Sequence, residues 1–165
     1  MKLETERLLI RSWQKEDIQR YAQIVANPLV MKYIGSGDIQ DYEDASKFIS
    51  RATAFERERG WTLWAVENRA NNDLMGFCGF APWQDEIEIG WRLDNIYWRS
   101  GYGTEAAVAV LNWGRKTFCF PKVVSIAQKQ NIASIKIMKK IGLKFERETI
   151  DERCDREIVV YAKSY

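Results

Sequence analysis

The segment Trp98 to Ala107, WRSGYGTEAA, concentrates residue types suited to holding an anion. Gly101 and Gly103 flank Tyr102 directly ahead of Ala107, Val110, Leu111, Gly114 and Phe118, an apolar set at helical spacing, so the glycines stand at a helix start. The first N–H groups of a helix lack intrahelical acceptors, and the aligned peptide dipoles add about half a positive charge there. A phosphate is a natural occupant of such an end. Glycine lets the backbone approach it closely, and Arg99, Ser100 and Thr104 supply a charge and hydroxyl donors. The same glycines also suit a plain tight turn. A third reading takes Gly101, Gly103 and Ala106 as a GxGxxA dinucleotide fingerprint, which requires an acidic residue about 20 positions further on. The chain reads Ser125, Ile126, Ala127, Gln128 there, and LDNIYWRS is too polar for the buried strand that should precede the turn. The dinucleotide reading therefore fails.

A second place for chemistry is the run EIEIGWRL. Strand alternation puts Ile87, Ile89, Trp91 and Leu93 on one face and Glu86, Glu88, Gly90 and Arg92 on the other. Glu88 is open to two readings, a solvated carboxylate on a polar face or a general base. The chain has no histidine, which removes the commonest base and metal ligand near neutral pH. Acid-base work falls to carboxylates, hydroxyls, thiols or water, and the composition gives no support to a metal site. Cys78, Cys119 and Cys154 show no CxxC spacing. Cys78 and Cys119 lie in the apolar strings FCGF and FCFP and are expected in the core, without a neighbouring cation to activate them.

The elements that position these groups follow from periodicity. ERLLIRSW reads as a strand, Ile18, Tyr21, Ala22 and Val25 as a helix interrupted at Asn27-Pro28, and Ala45, Phe48, Ile49, Ala52 and Phe55 as a second helix ending at Gly60. WTLWAVE, LMGFCGFA and EIEIGWRL then form three strands joined by turns. The glycine loop opens a helix from about Thr104 to Phe118. A strand VVSIAQ, a helix from about Ile132 to Ile141 and strands around LKFERE and REIVVYA complete the chain. Residues 1–165 are expected to form one α/β domain, with 46% apolar residues to fill its core.

The 25 basic and 23 acidic residues are interspersed, for a net charge of +2, so nucleic acid is not an expected partner. MKLETER lacks the pattern of a leader, and no apolar run approaches a membrane span, so neither secretion nor a membrane partner is expected. With its unpaired cysteines, the chain is expected in the cytoplasm. The seven tryptophans suggest an exposed apolar surface able to support a homodimer.

The loop resembles the signature Q/R-x-x-G-x-G/A of the GNAT superfamily of acetyltransferases. Trp98 replaces the first Gln or Arg, and with the following TEA it resembles the branch of ribosomal-protein alanine N-acetyltransferases. ETERLLIRSW, NPLVMKYIG, EIGW and NIASIKIMKKIGLKFE match further family segments in order along nearly the whole chain. The resemblance implies an α/β (α+β) fold with a mixed, mostly antiparallel sheet of about seven strands flanked by four helices. Its order is strand, two helices, three strands, helix, strand, helix and two strands, the order that periodicity gives independently.

The resemblance also implies an activity: transfer of the acetyl group of acetyl-coenzyme A by direct attack of a primary amine, either a protein N-terminus or a small-molecule amine. Trp98, Arg99, Ser100, Gly101, Tyr102, Gly103 and Thr104 would hold the cofactor, and Glu88 sits at the family's frequent glutamate position. Leu93, five residues before the signature, would offer a backbone N–H to the developing oxyanion. Asn131 is by its type a good N-cap. By resemblance it also contacts the pantetheine arm, while Ser134 lies near the sulfur and is the candidate proton donor. Four residues later many members carry a tyrosine acid, and this chain has Met138. That departure is the one hint of an alternative, a non-catalytic coenzyme A-binding module. The acceptor is expected to meet the region Ser12 to Gly60, where Asp38, Asp41, Glu43 and Asp44 suit either a cationic amine or a solvated helix start. Tyr33, Phe80 and Trp83 are open between an acceptor groove and the core.

Overall fold

The computed structural model describes residues 1–165. Its strands are β1 (Lys2–Glu4), β2 (Leu8–Arg11), β3 (Leu63–Asn68), β4 (Leu74–Trp83), β5 (Glu86–Leu93), β6 (Lys122–Gln128), β7 (Lys144–Asp151) and β8 (Arg156–Ser164). Its helices are α1 (Asp17–Val25), α2 (Pro28–Met31), α3 (Tyr42–Arg59), α4 (Tyr102–Phe118) and α5 (Ile132–Lys140), with a 3-10 turn at Asn95–Tyr97. All eight strands join one sheet in the order β1-β2-β3-β4-β5-β6-β8-β7. Every pairing is antiparallel except β5 with β6. No helix is long and apolar enough to cross a membrane.

The mixed sheet and the expected element order are present, with one more strand and one more helix. ERLLIRSW holds one strand, β2, and the extra strand β1 precedes it: Thr5 accepts from Leu8 N–H through its hydroxyl at 3.0 Å and donates its own N–H to Leu8 O at 2.9 Å, turning β1 back on β2. At Asn27-Pro28 the break that ends α1 also starts α2, because the Asn27 side chain caps Leu29 N–H and Pro28 takes the first helical position.

Helices cover both faces of the sheet. The α4 residues Ala106, Ala107, Val110 and Leu111 and the α5 residue Met138 pack with Cys78, Phe80, Ile89 and Leu93 on one face. On the other, α1, α2 and α3 bury Tyr21, Ile24, Met31, Ile49 and Ala52 against Ala65, Leu74 and Phe77. The alternation expected along β5 therefore holds: Ile89 and Leu93 face α4, and Glu88 lies on the opposite face. Phe80 and Trp83 belong to the packed interior, not to a groove.

Two expectations about surface residues do not hold. Cys119 is exposed, because it caps the C-terminus of α4 at φ 53°, and that left-handed turn points its side chain outward. Of the seven tryptophans, Trp13, Trp64 and Trp83 are buried and only Trp98 is exposed, so there is no tryptophan-rich face to support a dimer.

Candidate active site

The site lies where β5 and β6 part. The two strands share a single bridge, Glu88 with Val124, and diverge beyond it. Asp94 N–H donates to Met75 O of β4 at 2.7 Å, and successive N–H groups of a strand point to opposite edges. The N–H groups of Trp91 and Leu93 therefore point to the edge that β6 leaves open. The Leu93 carbonyl is already engaged: it accepts from Trp98 Nε1 at 2.9 Å. Trp98 thus ties the glycine loop to the end of β5, while its ring stays exposed.

Below this slit, α4 begins at Gly101, whose φ of 81° is left-handed, and no side chain caps the helix. Arg99 is also left-handed, at φ 61°. No carbonyl of the turn and no side chain accepts from the backbone N–H groups of Arg99 to Thr104; the first to be bonded is Glu105 N–H, to Gly101 O at 3.0 Å. This row of free donors at a 17-residue helix start fits a pyrophosphate. Gly103 has a different reason to be glycine, since a Cβ there would lie 2.9 Å from Ile137 Cδ1 of α5 and 4.0 Å from Leu93 Cδ1. The loop, the end of β5 and α5 converge at that point.

Two residues that periodicity gave no role brace the loop. Glu105 accepts from Thr5 Oγ1 at 2.6 Å, from Arg7 N–H at 3.0 Å and from Arg7 Nε at 2.7 Å. Arg7 Nη1 also donates to Ser100 O at 2.8 Å, and its guanidinium lies 4.1 Å over the Tyr102 ring. Burial alone would raise the Glu105 carboxyl, but the bonds from Thr5 and Arg7 hold it below the usual range. Tyr102, edge-on to Tyr97 at 5.7 Å, is part of this brace. Their only sequence signal was membership of the matching segments ETERLLIRSW and TEA.

Asn131 caps α5, its side-chain oxygen accepting from Ser134 N–H at 3.2 Å. Ser134 is half-buried in the first turn, and its hydroxyl makes no hydrogen bond within the chain. Met138, at the position where many relatives carry tyrosine, is fully buried in the core. Glu88 stands on the opposite face of the sheet from α5, so the two catalytic candidates meet only through the slit.

No hydrogen bond or ion pair engages the Glu88 carboxylate, and the residue is half-buried. Burial pushes its carboxyl up, Arg153 opposes that and Asp151 adds to it, leaving it at about 7. Arg153 is itself clasped by Asp151, at 2.8 Å and 2.7 Å, so its charge is largely spent before it reaches Glu88. Glu86, by contrast, is salt-bridged to Lys122 and Arg147 and takes no part. The acids around the start of α3 are likewise committed: Asp41 and Asp44 form a capping box, Ser36 bonds Asp38 and Lys47 pairs with Glu43.

The sequence matches the Acetyltransferase (GNAT) domain family over residues 7–144. The chain belongs to that family. It is 33% identical over 156 residues to the uncharacterized N-acetyltransferase YnaD of Bacillus subtilis, covering 93% of this chain and 88% of the relative. Among solved structures, a GNAT-family acetyltransferase from Bacillus anthracis superposes with a TM-score of 0.87 at 26% identity, covering 99% of this chain and 98% of the other. The coenzyme A complex of RimL, a ribosomal L7/L12 alpha-N-protein acetyltransferase, superposes with a TM-score of 0.84 at 15% identity, covering 99% and 98%. The chain is an acetyltransferase with the fold that the ribosomal-protein enzymes share.

Proposed function

We propose that this acetyltransferase takes its acetyl group from acetyl-coenzyme A and passes it to a primary amine by direct attack, with Glu88 as the base. The observation that carries the reading is the unpaired Glu88 carboxyl at about 7, set beside the open N–H edge of β5. A base near the working pH combines a usable ionised fraction with proton affinity.

Acetyl-coenzyme A supplies an acetyl group activated as a thioester. The N–H groups of Arg99 to Thr104 bind its pyrophosphate, with the Arg99 side chain adding charge. Asn131 and Ser134, at the start of α5, line the route of the arm from loop to slit. Leu93 N–H is the donor aimed at the oxygen that gains charge during transfer. Glu88 takes the proton of the attacking amine, directly or through water, and Ser134 Oγ is the candidate group to return a proton to the thiolate. The amine is a peptide N-terminus or a small molecule, and a cytoplasmic setting accords with three free cysteines.

Met138 fills the core, so packing accounts for the residue that suggested a module without turnover. The test is thiol release from acetyl-coenzyme A against N-terminal peptides, polyamines, amino acids and aminoglycosides in parallel, with the acetylated product identified by mass. Saturable cofactor binding with no thiol release across the whole panel would overturn the reading.

A further inference from the structure

Five arginines are half-buried: Arg7, Arg11, Arg20, Arg92 and Arg147. Four of them meet carboxylates: Arg7 with Glu105, Arg11 with Asp17 and Glu67, Arg20 with Asp73 and Asp94, and Arg147 with Glu86, all within 3.0 Å. Arg92 meets none. Its Nη1 donates to Tyr21 Oη at 3.1 Å, its guanidinium carbon lies 5.1 Å over the Phe77 ring, and its Nε is buried without any acceptor. An enclosed guanidinium keeps its charge, and a buried donor left unpaired is costly.

Arg92 of β5 lines a cleft of about 630 Å³ together with Lys47, Phe48, Ser50 and Arg51 of α3. Arg51 also has no carboxylate within reach. The one acid in the cleft, Asp44, is spent on the helix start, accepting Asp41 N–H at 3.1 Å, and Lys47 is held by Glu43 at 2.9 Å. The free charge facing the cleft is therefore positive. Arg92 shares its sheet face with Glu88 four residues away, a span of about 13 Å between Cα atoms that the two long side chains shorten. Between them Gly90 leaves a bare floor, where a Cβ would touch only Glu88 Oε1 and Leu63 Cδ2, each at 3.8 Å.

We infer that the acceptor amine also carries an anionic group, a carboxylate or a phosphate, held by Arg92 with Arg51 while the amine lies toward Glu88. This rests on the transferase reading above and names its substrate class.

The test uses the intact protein, acetyl-coenzyme A and size-matched amine pairs: 4-aminobutyrate against pentylamine, phosphoethanolamine against butylamine, and a dipeptide against its C-terminal amide. The anionic member of at least one pair should be preferred in kcat/KM by roughly 10- to 100-fold, the worth of a charge-assisted contact. The pair with the larger ratio separates phosphate from carboxylate. Arg92→Gln should collapse that ratio toward one, and Arg92→Lys should retain part of it. Arg51→Gln, on the exposed side of α3, should lower it without risk to the core. Equal or better use of the neutral members by the wild type, or a ratio that survives Arg92→Gln and Arg51→Gln, overturns the inference. If no amine is acetylated at all, the transferase reading fails. Calorimetry with inorganic phosphate and succinate then decides the anion site alone, and binding that is absent or unchanged in Arg92→Gln overturns it.

Discussion

Glu88→Gln keeps the size and strand position of the side chain and removes only its titration. With the wild-type carboxyl at about 7, half the molecules carry the base at pH 7 and about a tenth at pH 6. At saturating acetyl-coenzyme A, turnover should rise about tenfold from pH 6 to a plateau above pH 8, and the substitution should lower that plateau by about 10²- to 10⁴-fold. The same displacement predicts a change in stability of opposite sense. Below about pH 4.5 the carboxyl is protonated in both folded and unfolded chains and costs nothing. Between 4.5 and 7 the unfolded chain ionises first, so stability falls, and above 7 the whole cost stands, at most about 3 kcal/mol because part of the side chain meets solvent. Glu88→Gln should therefore be a slower but more stable protein at pH 8, and equal to wild type in stability at pH 4.5. Continuous thiol release from pH 5.5 to 9 and urea unfolding at the two pH values measure both. Removing the opposing charge with Arg153→Gln should move the kinetic inflexion upward. An undiminished rate with the inflexion near 7 intact in Glu88→Gln, or lower stability at pH 8, would refute the assignment.

Gly101→Val should weaken coenzyme A binding by at least tenfold in calorimetry, since its φ of 81° disfavours a β-branched residue and Arg7 Nη2 lies 3.4 Å from the new Cβ; unchanged affinity would remove the loop from the cofactor site. Gly103→Val is less diagnostic, because it also strikes Ile137. Met138→Tyr should not restore a proton donor. It overpacks a fully buried position and should cost about 1–3 kcal/mol in urea unfolding with no gain in turnover, and a faster enzyme would contradict the burial argument.

The sequence was most legible where a short-range pattern decides the outcome. The alternation in EIEIGWRL placed Glu88 opposite Ile89 because a strand permits only two faces, and the helix after the glycine loop followed from its period. Cys119 departs from the burial that its apolar string FCFP implies, because a left-handed helix cap turns the side chain out. The state of Glu88 was illegible because Asp151 and Arg153, which tune it, lie more than 60 positions away on the β7–β8 turn. Arg92 was visible as a residue of the polar face, but its lack of an acid partner emerges only once every other half-buried arginine has found one.

The clasp of Thr5 and Arg7 on Glu105 joins positions 98 and 100 residues apart. Closing a loop of that length unaided would cost roughly 4 kcal/mol of chain entropy, more than a few part-buried polar contacts return. It can form only after β2 to β5 have laid the intervening chain side by side. During synthesis the glycine turn therefore matures late, after Glu105 has been made and the central sheet stands, and it should be among the first features lost when β1 frays. Its glycines are local, but the order in their backbone is a property of the finished sheet.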